Sequence, residues 1–116
     1  MKLSDNADLV RVKHMRDAAE EALRFIENLS RTDLEKNRML TLALLKELEL
    51  IGEAASKLSP KFRIKHSGIP WDLIVATRNR LIHGYFDFDL EIVWTTVSAD
   101  LPQLVRQLKS IIPSTE

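Results

Sequence analysis

A chain of 116 residues is the size of one compact domain, here taken as residues 1–116, and argues against a two-domain enzyme. The absence of cysteine removes disulfide frameworks, thiol nucleophiles and thiolate zinc sites, and fits a reducing compartment. Formal net charge is zero, yet residues 61–85 carry a net +4 between flanks of −1 and −3, so the positive charge is local and suited to a polyanion.

Hydrophobic residues make up 45% of the chain and aromatic residues only 6%, which predicts an aliphatic core under a charged surface. No stretch holds the roughly 18 to 20 consecutive apolar residues that a membrane span needs. The opening MKLSDNADLV lacks the apolar middle of a signal peptide, so the expected location is cytoplasmic, with no membrane partner.

Three glycines and four prolines fall mostly at boundaries, leaving long stretches rich in Leu, Ala, Glu, Lys and Arg. The first predicted helix runs from about Asn6 to Leu29, with Leu9, Val10, Met15, Ala18, Ala22, Leu23, Phe25 and Ile26 near three-and-four spacing. Thr32 and Glu35 have the spacing of a capping box and predict a second helix from Thr32 to about Leu58. Leu42, Leu45, Ile51, Ala55 and Leu58 line one side of it, and Leu44, Leu48 and Ala54 widen the stripe enough for two contacts.

Lys61 to Ile69 reads as an irregular or one-turn connection. A third helix is predicted from Pro70 to His83, with Leu73, Ile74, Leu81 and Ile82 facing the core and Gly84 as a left-handed cap. A fourth begins near Asp89 and carries Ile92, Val93, Val97, Leu101, Leu104, Val105, Leu108 and Ile111 at helical spacing, with a kink near Ala99 imposed by Pro102. Trp71, Trp94, Phe86 and Phe88 sit among aliphatics and read as core. The expected fold is all-α, an antiparallel bundle of four to five helices. Its longest helices would leave apolar flanks that a symmetric dimer covers.

The segment ATRNRLIHGYFDFD, from Ala76 to Asp89, gathers Arg78, Asn79, Arg80, His83 and Tyr85 within eight positions. With no thiol and no glycine-rich phosphate loop, the plainest chemistry for an arginine and a histidine is metal-free RNA cleavage by the 2′-hydroxyl. His83 exchanges a proton near neutral pH, and Arg78 presents a planar, permanently charged fork to phosphate oxygens. Acid and base are both needed, so a second histidine would come from a two-fold partner. On a helix at about 100° per residue, Asn79 shares a face with His83 whereas Arg78 lies roughly 140° around. Convergence then requires that Gly84 end the helix near the histidine, that the arginine reach around, or that the groups meet across a subunit interface. The last two are favoured.

The same residues resemble the R-x4-6-H motif of HEPN ribonucleases, and Arg78, His83 and Tyr85 together match the R-x4-H-x-Y form of HepT-type toxins. IGEAASKLS, IPWDLIVATRNRLIHGYFDFDLEIVW and the terminal DLPQLVRQL extend the resemblance over most of the chain. It implies a homodimeric, metal-independent endoribonuclease toxin of a type VII-like toxin–antitoxin pair. Its partner would be a minimal nucleotidyltransferase antitoxin that transfers AMP to the motif tyrosine. Carried over by position, Arg78 and His83 are catalytic, Asn79 supports them and Tyr85 is the adenylylated residue.

Arg80 and His66 are candidate RNA contacts, although Arg80 is also the kind of cation that complements the last turn of a helix. No DNA substrate, cofactor or metal is expected. His14, Asp17 and Glu21 could be drawn as a metal site, but mixed charges on one helix face read as a solvated surface. The alternative function is a non-catalytic HEPN module that binds a nucleotidyltransferase or nucleotide through the same basic segment.

Overall fold

The structure, a computed structural model, describes residues 3–83 and 87–113, and helices dominate them. Helix α1 spans Leu3–Phe25 and stops where Asn28 takes a left-handed backbone, φ 63°, a conformation that Asn tolerates better than most side chains. The Leu29 N–H returns to the Ile26 carbonyl at 2.9 Å and closes the turn.

The single second helix expected from Thr32 to Leu58 is two helices, α2 over Arg31–Lys36 and α3 over Arg38–Ser56. The break is Asn37, whose extended backbone ends α2. Its side chain accepts the Leu40 N–H at 3.0 Å and so caps α3. An Asn side chain can supply this local alternative to the helical ladder, and a pattern of apolar spacing does not register it. Thr41 seals the corner by donating its hydroxyl to the Leu34 carbonyl at 3.0 Å. The cap of α2 also lies earlier than Thr32 and Glu35: the Ser30 N–H donates to the Asp33 carboxylate at 2.6 Å.

Helix α4, Pro60–Lys65, fills what read as a connection. Ser59 caps it by accepting the Phe62 N–H at 3.2 Å, with proline in the first turn. Helix α5, Trp71–Leu81, ends two residues short of the expected His83. The chain then runs extended through β1, Ile82–His83, which pairs antiparallel with β2, Asp87–Phe88, with Ile82 opposite Phe88 and His83 opposite Asp87. Asp89 caps α6, Leu90–Thr95, by accepting the Ile92 N–H at 3.0 Å.

Where a kink was expected, Thr96–Asp100 forms a π-helical turn, and α7 follows over Leu101–Ile111 with Pro102 in its first turn. The Leu101 N–H reaches the Thr96 carbonyl five residues back, so the wider turn accommodates the amide nitrogen that carries no hydrogen.

The core is aliphatic. Met15 and Val12 from α1, Leu44 from α3, and Val93, Val97 and Leu108 from the C-terminal helices are fully buried. Helix α1 packs on α3 and α7, and α3 packs on α5, so α3 is shared between two neighbours as its wide stripe required. Several expected core positions lie outside it: Val10, Phe25 and Leu42 are exposed, and Leu73 is 54% exposed. Val12 and Ala19, passed over in the pattern, are buried. Trp71 is buried and Trp94 half-buried; Phe86 and the side chains of Ile82 and Phe88 lie outside the described residues.

Candidate functional site

The basic segment begins at a corner built by aromatic packing. The Phe62 ring lies 4.5 Å from the His66 ring and 6.2 Å from the Trp71 indole, centroid to centroid, and the Trp71 Nε1–H donates to the His66 carbonyl at 3.0 Å. Arg63 ties the corner to α3 through two bonds from Nη2, to the Ala55 and Ser56 carbonyls at 2.9 and 3.0 Å. Burial and then the neighbouring Lys65 hold the His66 imidazole below its ordinary pKa, which favours the uncharged ring against Phe62.

Helix α5 carries the motif away from this corner. Arg78 and Asn79 fall in its last turn, three and two residues before its final residue, Leu81, and His83 falls in β1. The helical face that would align Asn79 with His83 therefore does not exist, because the chain leaves helical geometry between them. Beyond Leu81 the backbone of Ile82 and His83 is extended, advancing about 3.3 Å per residue instead of about 1.5 Å. The base of the excursion is closed, since the Asp89 N–H donates to the Leu81 carbonyl at 3.1 Å just outside the paired strands. Tyr85 and the cap expected of Gly84 lie outside the described residues, as do the side chains of Arg78, Asn79 and His83.

Arg80 is exposed on the adjoining face of α5, where its Nη2 donates to the Thr77 hydroxyl at 3.2 Å. That hydroxyl donates in turn to the Leu73 carbonyl at 2.8 Å. Leu73, Thr77 and Arg80 form one wall of a groove of about 380 Å³ between α3, α5, the π-helical turn and α7. Its floor is apolar, from Leu48, Ile51, Leu101 and Leu104, and its far rim is polar, from Asp100, Gln103 and Gln107. Sequence reading passed over this rim. The three residues sit at i, i+3 and i+7, a spacing ordinarily taken for a solvated face. Among the described residues no group of three or more His, Asp or Glu side chains could hold a metal ion, His14, Asp17 and Glu21 included.

An all-α bundle in which a basic helix ends in an R-x4-H segment defines a class, and comparison with known proteins gives the family. The family profile described as Ribonuclease HepT-like matches residues 15–111, and the chain belongs to that family. It is 37% identical over 101 residues to a candidate RNase of Caldanaerobacter subterraneus subsp. tengcongensis, covering 87% of this chain and 90% of that one. It is 35% identical over 95 residues to a probable ribonuclease HepT of Thermococcus cleftensis, covering 78% of this chain and 86% of that one. A candidate RNase of Methanocaldococcus jannaschii is 30% identical over 95 residues, covering 82% and 87%. No solved structure gives a significant match. The chain is thus a HEPN-type enzyme of the ribonuclease class. Among the described residues no helix is long and apolar enough to cross a membrane.

Proposed function

We propose that this ribonuclease is a metal-independent endoribonuclease toxin whose reaction is transesterification within the RNA strand. His83 takes the proton of a ribose 2′-hydroxyl, and the resulting oxygen attacks the adjacent phosphorus. Arg78 holds the two non-bridging oxygens as their negative charge grows, and Asn79 orients the phosphate. The 5′-oxygen leaves with a proton from the second His83 of a symmetric dimer, giving a 2′,3′-cyclic phosphate and a 5′-hydroxyl end. The observation that carries this reading is the sequence Arg78-x4-His83-x-Tyr85 spanning the end of α5 in a HepT-like chain.

The same reading makes a minimal nucleotidyltransferase the cytoplasmic antitoxin. Its reaction would join the Tyr85 phenolic oxygen to the α-phosphorus of ATP and release pyrophosphate. The added adenylyl group would bring bulk and negative charge to the place where RNA phosphate must bind. Arg80 contributes positive charge to the approach, and His66, whose pKa is lowered, is suited to contribute a hydrogen bond more than a charge.

Cleavage of a labelled single-stranded RNA in EDTA tests the enzyme. Wild type should yield cyclic-phosphate ends, and Arg78→Ala and His83→Ala should each lower the rate by about 10²- to 10⁴-fold. Equal activity in all three would remove both residues from the mechanism. Intact mass after co-expression with the partner tests the regulation, since a single AMP addition should appear and should vanish in Tyr85→Phe.

A further inference from the structure

The groove between α5 and α7 has the make-up of a ligand site. It is concave, its floor is apolar and its rim carries a few polar groups. One wall is α5 itself, from Leu73, Ile74, Thr77 and Arg80, the helix whose last turn includes position 78. Two features suit it to a nucleotide. Arg80 stands exposed at one side, steered by Thr77, as a cation that a phosphate can meet.

From the π-helical turn and α7 the same groove is lined by Asp100, which can only accept hydrogen bonds when ionised, and by the amides of Gln103 and Gln107, which both donate and accept and can meet the edge of a base. The π-helical turn brings Thr96 and Asp100 to the same groove, and such turns recur at functional sites.

Resting on the RNA-cleaving reading above, we propose that this groove binds one unpaired nucleotide flanking the scissile phosphate and prefers guanine. Its flat base lies over Leu101 and Leu104 and its phosphate meets Arg80. Guanine is preferred because its adjacent N1–H and N2–H donors can occupy both oxygens of one carboxylate, whereas uracil offers a single N–H. A second copy of the chain could instead cover the apolar floor, but it would not call for an exposed arginine and an acceptor-only carboxylate in the lining of one groove.

The test uses free GMP and UMP with the wild-type chain, observed by amide NMR. Neither nucleotide has a scissile bond, so binding is read apart from turnover. GMP should give saturable shifts centred on Leu101 to Gln107, about tenfold tighter than UMP. Asp100→Asn should erase that preference, and Arg80→Ala should weaken both nucleotides together.

Absence of saturable shifts, shifts centred elsewhere, or an unchanged preference in Asp100→Asn would overturn the proposal. Groove signals that respond to protein concentration and not to nucleotide would assign the groove to a subunit interface. RNA cleavage without GMP binding sinks the groove and spares the enzyme. GMP binding with no cleavage does the reverse.

Discussion

Asp8 on α1 holds both polar groups of Ser59, accepting its backbone N–H at 2.9 Å and its hydroxyl at 2.7 Å. Only 2% of Asp8 is exposed, and the Ser59 hydroxyl it fixes is the one that caps α4. One carboxylate thus anchors α1 to the corner from which the basic segment departs, across 51 residues of sequence. Asp8→Ala removes a charged acceptor and strands two donors, a loss of about 1.5 to 3 kcal/mol. Urea unfolding should show that loss, with α4 amides losing protection first in hydrogen exchange. A variant as stable as wild type would mean that Ser59 caps α4 unaided.

Glu47 gives the fold a pH dependence of unusual sign. It is buried on α3 with Oε2 lacking a hydrogen-bond partner among the described residues, and burial first, then the hydrogen bond and charge of Glu21, raise its pKa from 4.5 to about 7, with Arg24 pulling the other way. Between those two values the unfolded chain has lost a proton that the native chain keeps. Stability should therefore fall as pH rises through the interval, by on the order of 1 to 3 kcal/mol. His66, with its lowered pKa, works in the opposite direction, so the contribution is isolated by subtracting the Glu47→Gln variant. Urea midpoints from acid to neutral pH should fall more steeply in wild type, and parallel curves would assign the burial no energetic consequence.

Arg63 uses one nitrogen to bond the last two carbonyls it can reach on α3, while its Nη1 lies 3.8 Å from Asp72 at the start of α5. It joins three helices at the base of the basic segment. Arg63→Ala should lower stability by about 1 to 3 kcal/mol, and Arg63→Lys should restore less than half, because an ammonium group cannot reproduce the planar fork. Full recovery by lysine would show that charge, not geometry, holds the corner.

Much of this was legible in the residues. Apolar spacing found the helical class and most of the core, including Met15, Leu44, Val93 and Leu108, and Asp89 announced the helix that follows it. Breaks made by side-chain to backbone bonds were not legible, because Asn37 interrupts the second helix without disturbing its apolar period. The end of α5 was missed for a related reason. Leu81 and Ile82 continue the helical spacing, but Ile82 and His83 pair with Phe88 and Asp87, which the chain reaches only after turning back. The motif residues stood out by composition, whereas the groove arises from α3, α5 and α7 together and has no local signal. Asp8 likewise gave no sign of its partner, since nothing local links it to Ser59.

Gly52 lies buried in the middle of α3, directly under α5. A β-carbon added there would meet the Ile74 carbonyl oxygen at 3.6 Å and the Val75 carbonyl oxygen at 3.9 Å, ordinary van der Waals contact. Gly52→Ala therefore fits without movement and gains helix propensity, so it should stabilise the protein by up to about 1 kcal/mol and leave RNA cleavage unchanged. Gly52→Leu adds three further carbons against the backbone of α5 and must displace that helix or distort α3, at about 1 to 3 kcal/mol. Because α5 carries Arg78, displacement should lower the cleavage rate of the folded fraction by more than the loss of folded protein explains. The check compares urea midpoints with rates per folded molecule for both variants. If leucine lowers stability but leaves that rate intact, α5 can shift without disturbing the reacting groups.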